Sequence, residues 1–205
     1  MLDHDYSRFS DEDLEQMTLG EAGIYKFDLY NELYDRYTKK NDIDMAVYAM
    51  ERLIATFDGE IDTGTLVNAR YKQSLLYFNA NNFSFAITYA EKGVDDWEAS
   101  TPSDSYFYLE WSKCAIVQLR SRIALGYFRE IPDRAGSLLE ILETFKFQNF
   151  IPLVHLIIAE AYFHLELDDL CEEYLKLAQA GSPYDSINQK KIDYLRNEMS
   201  AGNQP

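Results

Sequence analysis

The 205-residue chain carries 19 basic against 35 acidic side chains, a formal charge of −16, and is 47% hydrophobic. That apolar content excludes a disordered chain, and the length fits one domain or one short repeat array. A field of this sign repels DNA, RNA and anionic membranes and attracts basic partners, while also serving solubility.

The charge is uneven. Residues 1–62 hold 16 acidic and 6 basic side chains, a balance of −10, whereas residues 63–205 hold 19 and 13, a balance of −6. Five prolines and nine glycines leave few breaks, which suits long helices. Sixteen Tyr and twelve Phe supply rings to fill the gaps between packed helices, with some left for a partner. Cys114 and Cys171 are too far apart for a disulfide framework or a zinc motif, and are expected as buried thiols in a reducing compartment. The start, Met1-Leu2-Asp3-His4-Asp5, is acidic and lacks the basic-then-apolar pattern of a secretion signal. The most apolar stretch, Phe150 to Ile158, contains Pro152 and His155 and is too short to span a bilayer. A soluble cytoplasmic protein is the expectation.

In chain order, Ser10 caps a short helix whose first turn holds Asp11, Glu12 and Asp13, where negative charge offsets the positive helix end. A helix from about Glu21 to Lys40 follows, with Ile24, Phe27, Tyr30, Leu33, Tyr34 and Tyr37 on one face. Asn41-Asp42 turns the chain, and Ile43 to Phe57 returns with Ala46, Val47, Met50, Leu53 and Ile54 inward, until Asp58-Gly59 ends it. Thr65 to Ala80 and Phe83 to Trp97 make a second hairpin, in which Leu76, Tyr77 and Ala80 face Phe85, Ala86, Tyr89 and Ala90. Thr101-Pro102-Ser103 breaks the chain before a helix predicted over Ser105 to Phe128, and Pro132 opens its return to about Phe145. The fourth hairpin runs from Leu153 to Leu165 and from Asp169 to Ala180, stopped by Gly181-Ser182-Pro183. A last helix, Asp185 to Met199, carries Ile187, Ile192 and Leu195 on one side and polar residues on the other.

A pattern recurs along these elements. Asn41-Asp42-Ile43-Asp44-Met45-Ala46 and Asn81-Asn82-Phe83-Ser84-Phe85-Ala86 each give a polar turn, an apolar anchor and a small residue inside a new helix. Leu167-Asp168-Asp169-Leu170-Cys171 is a looser version. Such recurrence means stacked helical hairpins. The residues resemble the tetratricopeptide repeat, a helix–turn–helix unit of about 34 residues. In the fourth hairpin Ile158-Ala159, Tyr162, Cys171, Leu175, Ala178 and Pro183 fit its pattern. Ser74, Tyr77, Ala86, Ala90 and Gly93 fit in the second, Tyr37, Ala46, Met50 and Leu53 in the first, and Ala135, Leu139 and Leu142 in the third. Bulky Tyr34 replaces a small residue. The steps from Ala46 to Ala86, Ala135 and Cys171 are 40, 49 and 36 residues, so the array is divergent. It is similar to the repeats of bacterial peptide-sensing regulators, which usually carry a DNA-binding or other effector segment. No helix-turn-helix module is expected ahead of the repeats, because the start is acidic.

The resemblance implies an all-α superhelical array of about four antiparallel hairpins, with an extra N-terminal helix and a C-terminal capping helix. The expected organisation is an acidic segment at 1–20, repeats over 21–183 (21–60, 65–98, 103–147 and 151–183), a cap at 184–199 and a loose tail at 200–205. In such an array the first helix of each hairpin lines a concave groove. Helical phase then nominates Asn31, Asp35 and Thr38; Tyr71, Leu75 and Phe78; Arg120, Ala124 and Tyr127; and Leu156, Glu160 and Phe163. Phe78, Tyr127 and Phe163 read as equivalent places, each one residue past the packing position. An apolar groove with a few polar groups suits an extended peptide or a partner helix, unless the terminal helix or neighbouring hairpins cover it. Asp28, Glu32 and Asp35 make the first hairpin an acidic surface that favours a basic or neutral apolar segment. Arg120 is the one groove cation expected, to hold an acidic residue or to pair with Glu160.

Local catalytic motifs are missing. His155 and His164 lie about 2.5 helical turns apart, on opposite sides, and cannot chelate one metal with Glu160. Asp58-Gly59-Glu60-Ile61-Asp62 is not a calcium loop, and no glycine-rich phosphate loop or nucleophile elbow is present. The expectation is a non-enzymatic adaptor or chaperone-like scaffold, without cofactor or metal, that binds a protein or peptide segment in the groove. Two alternatives stay open: an acidic regulator of a basic partner such as a DNA-binding protein, and a peptide-sensing regulatory protein. A homodimer is also open, since a short array can bury its apolar ends by pairing.

Overall fold

A computed structural model describes residues 6–20, 24–57, 61–99, 105–181 and 186–202. The Met1–Asp5 start, the Asp58-Gly59 stop, the Thr101-Pro102-Ser103 break, the Ser182-Pro183 stop and the end of the tail lie outside the described residues. Among those residues the protein is all-α, with ten α-helices and no strand. The chain divides into two compact units, Met1–Ser100 and Thr101–Pro205.

In the first unit a short 3-10 helix, Tyr6–Arg8, leads to α1 (Asp11–Gly20), α2 (Ile24–Lys39), α3 (Ile43–Thr56), α4 (Thr63–Asn79) and α5 (Phe83–Glu98). Ser10 and Asp13 cap α1 reciprocally. The Asp13 backbone N–H donates to Ser10 Oγ at 3.1 Å, and the Ser10 N–H donates to the Asp13 carboxylate at 3.0 Å. Helices α2–α3 and α4–α5 form hairpins, and α1 packs on α2. Leu29, Tyr30, Leu33, Tyr34 and Tyr37 of α2 are buried against Ala46, Val47, Met50 and Leu53 of α3. Each such large side chain contributes about 1.5–3 kcal/mol of burial free energy. The Tyr77 ring stacks on both Phe85 and Tyr89, at 5.1 and 5.5 Å. Ala80, expected in the same interface, is exposed because α4 has already ended at Asn79.

Arginines tie the elements together. Arg36 of α2 donates to the Tyr6 and Phe9 carbonyls at 2.6 and 2.7 Å and to Glu32 at 2.8 Å, which straps the N-terminal segment down. Arg70 of α4 reaches Glu51 of α3 and Asp96 of α5, while buried Gln73 donates to the same Glu51 at 3.1 Å. A buried amide and a half-buried guanidinium that share an acceptor in this way leave little polar surface unsatisfied.

The second unit holds α6 (Ser105–Ala124), a 3-10 helix at Phe128–Glu130, α7 (Ile131–Thr144), α8 (Ile151–His164), α9 (Asp168–Gly181) and α10 (Ser186–Gly202). Helices α8 and α9 form a hairpin on which α10 packs. Ile192 and Leu195 of α10 are buried there, with Leu175 and Ala178 of α9. Ile187, expected beside them, is 78% exposed. It lies five residues before Ile192, about 140° away around the helix, and Asn188 takes the buried place instead. Gly181 is required at the end of α9, because a Cβ there would meet Pro152 Cγ at 2.6 Å. Burial pushes the Cys171 thiol up to about 11, with Asp168 and Glu172 adding to the shift.

The small residues read from the sequence as packing positions, Ala46, Ala86, Ala135 and Cys171, are all fully buried. A second regularity lies in the backbone. Asn41, Asn81, Gly126 and Glu166 all adopt positive φ, from 58° to 83°. Each N–H bonds the carbonyl three residues back, and the next N–H bonds five back, as in Asn41 to Thr38 and Asp42 to Tyr37. This is the Schellman cap, and it closes α2, α4, α6 and α8 alike; Lys146, at φ 58°, closes the return helix α7 the same way. Glu166 meets a left-handed conformation that costs L residues about 1–2 kcal/mol and glycine almost nothing. Glu166→Gly is therefore expected to raise stability by about 0.5–1 kcal/mol in urea denaturation. A neutral or destabilising effect would contradict the cap.

Candidate functional site

Because α2, α4, α6 and α8 end in one cap geometry, residues at equal distance before the left-handed residue occupy equivalent places. Ten residues back stand Asn31, Tyr71, Ile116 and Leu156; six back, Asp35, Leu75, Arg120 and Glu160; three back, Thr38, Phe78, Ile123 and Phe163. The aromatic column expected from the sequence is thus broken. Tyr127 is not equivalent to Phe78 and Phe163; Ile123 is. Tyr127 lies beyond the α6 cap, 51% exposed, with its N–H on the Arg122 carbonyl. The run of apolar residues up to Phe128 conceals where α6 stops. The break is the one glycine in it, Gly126 at φ 83°. Ala124 is exposed at the last position of α6.

In the first unit, α2 and α4 present a mixed face. Lys72 Nζ of α4 donates to Asn31 Oδ1 of α2 at 2.9 Å and stands over the Tyr34 ring, 4.8 Å from its centroid. Asn31 Nδ2 in turn donates to the Phe27 carbonyl at 2.9 Å. Burial pushes the Tyr34 hydroxyl up to about 12, so the ring stays neutral beneath the ammonium. Tyr71, Leu75 and Phe78 are half-buried beside this contact, and the Phe78 ring meets the edge of Phe83 at 5.5 Å. Thr38 donates its hydroxyl to the Tyr34 carbonyl. Asp35 is exposed and Asp28 half-buried, and neither makes an ion pair among the described residues. Glu32 differs from them, because Arg36 holds its carboxylate at 2.8 Å. Sequence reading missed Lys72. It stands one residue past Tyr71, about 100° further around α4, and its long side chain reaches Asn31 of α2.

In the second unit the places ten residues before the cap are closed. Ile116 is buried, and Leu156 is 5% exposed. Leu156 is therefore a packing residue rather than open lining, because Ile192 and Leu195 of α10 share its cluster. Phe163 is half-buried in that cluster, with Met199 packed alongside. Glu160 pairs with Lys191 of α10 at 2.6 Å rather than with Arg120. Arg120 is exposed and is not the sole cation at these places, since Lys72 and Lys191 stand there too.

The two histidines go to packing. His155 sits edge-on to Tyr174 at 5.8 Å, with burial lowering its pKa, and His164 stacks on Phe128 at 4.3 Å. Among the described residues no three His, Cys, Asp or Glu side chains are grouped so as to hold a metal ion. No helix there is long and apolar enough to cross a membrane.

No protein-family model and no curated protein matches the sequence. Solved structures do match the fold. The chain is similar to aspartyl phosphate phosphatase F from Bacillus subtilis, at 12% identity and a TM-score of 0.73, over 91% of this chain and 48% of that one. It is similar to the apo form of RapI at 15% identity and a TM-score of 0.76, over 93% and 54%. It is also similar to a Rap protein complexed with competence and sporulation factor, at 14% identity and a TM-score of 0.61, over 84% and 47%. The chain thus spans about half the length of these structures, and at such identities the likeness is one of fold. It is the tetratricopeptide-like helical repeat of the Rap structures.

Burial separates the two faces energetically. Leu156→Ala is expected to cost about 2–4 kcal/mol in urea denaturation, and Leu75→Ala less than about 1.5 kcal/mol. Equal costs would contradict the assignment of Leu156 to packing and Leu75 to the open face.

Proposed function

We propose that the chain is a peptide-sensing regulatory protein, and that an extended peptide binds across α2 and α4 of the first unit. One observation carries this reading: the Asn31–Lys72 contact, set between apolar Tyr71, Leu75 and Phe78 on one helix and Asp28 and Asp35 on the other. An extended peptide offers backbone donors and acceptors at every step, and it needs side chains that supply both. Asn31 and Lys72 satisfy each other when the face is empty. A peptide carbonyl can replace Asn31 on the ammonium, and the released Asn31 Oδ1 then accepts a peptide N–H. The exchange keeps every polar group paired, so binding carries little desolvation penalty.

Apolar peptide side chains rest on Leu75 and Phe78. Asp28 and Asp35 favour a basic or neutral peptide over an acidic one, so the acidic surface acts as a selector within the same site. The fold likeness to a Rap protein complexed with competence and sporulation factor supports a ligand-binding regulator. We place no reaction on this face: Asp35 is exposed, Asp28 half-buried, and the ammonium of Lys72 is bonded to Asn31. A cytoplasmic site of action belongs to the same reading, in keeping with two buried thiols.

The test is selection from a library of displayed random heptapeptides, followed by affinity measurement by fluorescence polarisation. Lys72→Ala and Leu75→Gln are each expected to weaken the selected peptide at least tenfold, about 1.4 kcal/mol. Thermal melts should stay within a few degrees of the parent. Raising salt should weaken basic peptides most. Unchanged affinity in both variants would overturn the proposal.

A further inference from the structure

We propose that the cleft between α1, α2 and α3 is a second ligand site, for a carboxylate borne on a small apolar group. It lies on the α1-facing side of α2, away from Asn31 and Asp35, and does not depend on the peptide face.

The cleft encloses about 230 Å³. Drug-sized pockets occupy about 300–1,000 Å³, so this one suits a group the size of one or two residues. Leu33 and Ala49, both buried, line it from α2 and α3. Leu19 of α1 and Tyr48 of α3 also line it and are 70% and 54% exposed. Large apolar side chains left in water around a concave surface are the ordinary mark of a binding site.

One end of the cleft is polar. The Tyr30 hydroxyl stands among Thr56, Thr18 and Arg52. Burial alone would raise its pKa, but these three neighbours outweigh burial and leave it below the usual tyrosine value. Arg36, Arg70, Arg122, Arg134 and Arg196 each hold a carboxylate. Arg52 is exposed and, like Arg129, makes no ion pair among the described residues, in a chain with 35 acidic and 19 basic side chains. Arg52 rests hydrogen-bonded to the Tyr30 hydroxyl and solvated, and beside an open apolar cavity its guanidinium offers a planar carboxylate two parallel N–H bonds.

The other end excludes a second anion. Glu15 lies there, accepting the Tyr37 hydroxyl at 2.6 Å. Tyr30 and Tyr37 are seven residues apart on α2, about 10 Å along the axis. Among the described residues the acid makes no ion pair with Arg52, and it repels a carboxylate placed at the wrong end. The ligand is oriented with its charge at Arg52 and its apolar body along Leu33 and Tyr48. Two sources carry this chemistry, a free small acid and the C-terminal residue of a polypeptide.

The experiment uses the full ¹⁵N-labelled chain and three probes: N-acetyl-leucine, its uncharged amide, and N-acetyl-Ala-Ala-Leu with a free carboxylate. N-acetyl-leucine is expected to shift the amides of Thr18, Ala49 and Arg52, and its amide to bind at least fivefold more weakly. Arg52→Gln, at an exposed position, should erase that difference while keeping the spectrum of the folded chain. Tyr48→Ala should weaken acid and amide alike. Lys72→Ala should change neither, which separates this site from the peptide face. If the tripeptide binds at least fivefold tighter than N-acetyl-leucine, the source is a polypeptide terminus; equal affinity assigns a free acid. The proposal is overturned if acid and amide bind equally, if the shifts fall outside the cleft, or if N-acetyl-leucine at about 10 mM shifts nothing.

Discussion

The left-handed cap that closes α2, α4, α6 and α8 is the constraint on which the rest of the structure depends. Two backbone hydrogen bonds and one positive φ end each of these helices at the same phase. A helix that ran one residue further would rotate its next side chain by about 100°. The cap therefore sets which residues meet the return helix and which remain free. In the first unit it sends Tyr37 and Tyr77 into packing and leaves Asn31, Asp35, Tyr71 and Leu75 on the other side. Asparagine tolerates the left-handed region better than most residues, and two of the five caps among the described residues use it.

Equivalent places in the two units have different fates, and packing decides between them. In the first unit the row ten residues before the cap, Asn31 and Tyr71, is half-buried and partly open, and Asn31 bonds Lys72, one residue past Tyr71, across α2 and α4. In the second unit the same row is Ile116 and Leu156, and α10 lies over Leu156. Burial of Leu156, Ile192 and Leu195 outweighs anything an exposed apolar strip gains from waiting for a partner. One repeat chemistry thus yields an open face in one unit and a packed one in the other.

Much of this was legible in the sequence, for physical reasons. The period of apolar residues on α2, α3 and α8 matches a helix packed on one side, and the small residues Ala46, Ala86, Ala135 and Cys171 mark where two helices touch. Two things were not legible. The end of α6 depends on backbone conformation at Gly126, and the apolar residues on both sides of it conceal the break; that slip moved Tyr127 into a column that belongs to Ile123. Partners across helices were hidden too. Nothing local says that Glu160 meets Lys191, or Asn31 meets Lys72, residues 31 and 41 positions apart. Ile187 shows the limit in the other direction: hydrophobicity alone placed it inward, but helical phase turned it to solvent.

The central claim is that the caps leave the α2–α4 surface of the first unit free to receive a peptide. Its most direct test is photo-crosslinking of a bound peptide that carries a benzophenone side chain, with the attachment site read by mass spectrometry. Attachment at Tyr71, Leu75 or Phe78 is the expected result. Attachment at Tyr48 or Phe85, exposed on the return helices α3 and α5, with none on α2 or α4, would contradict it.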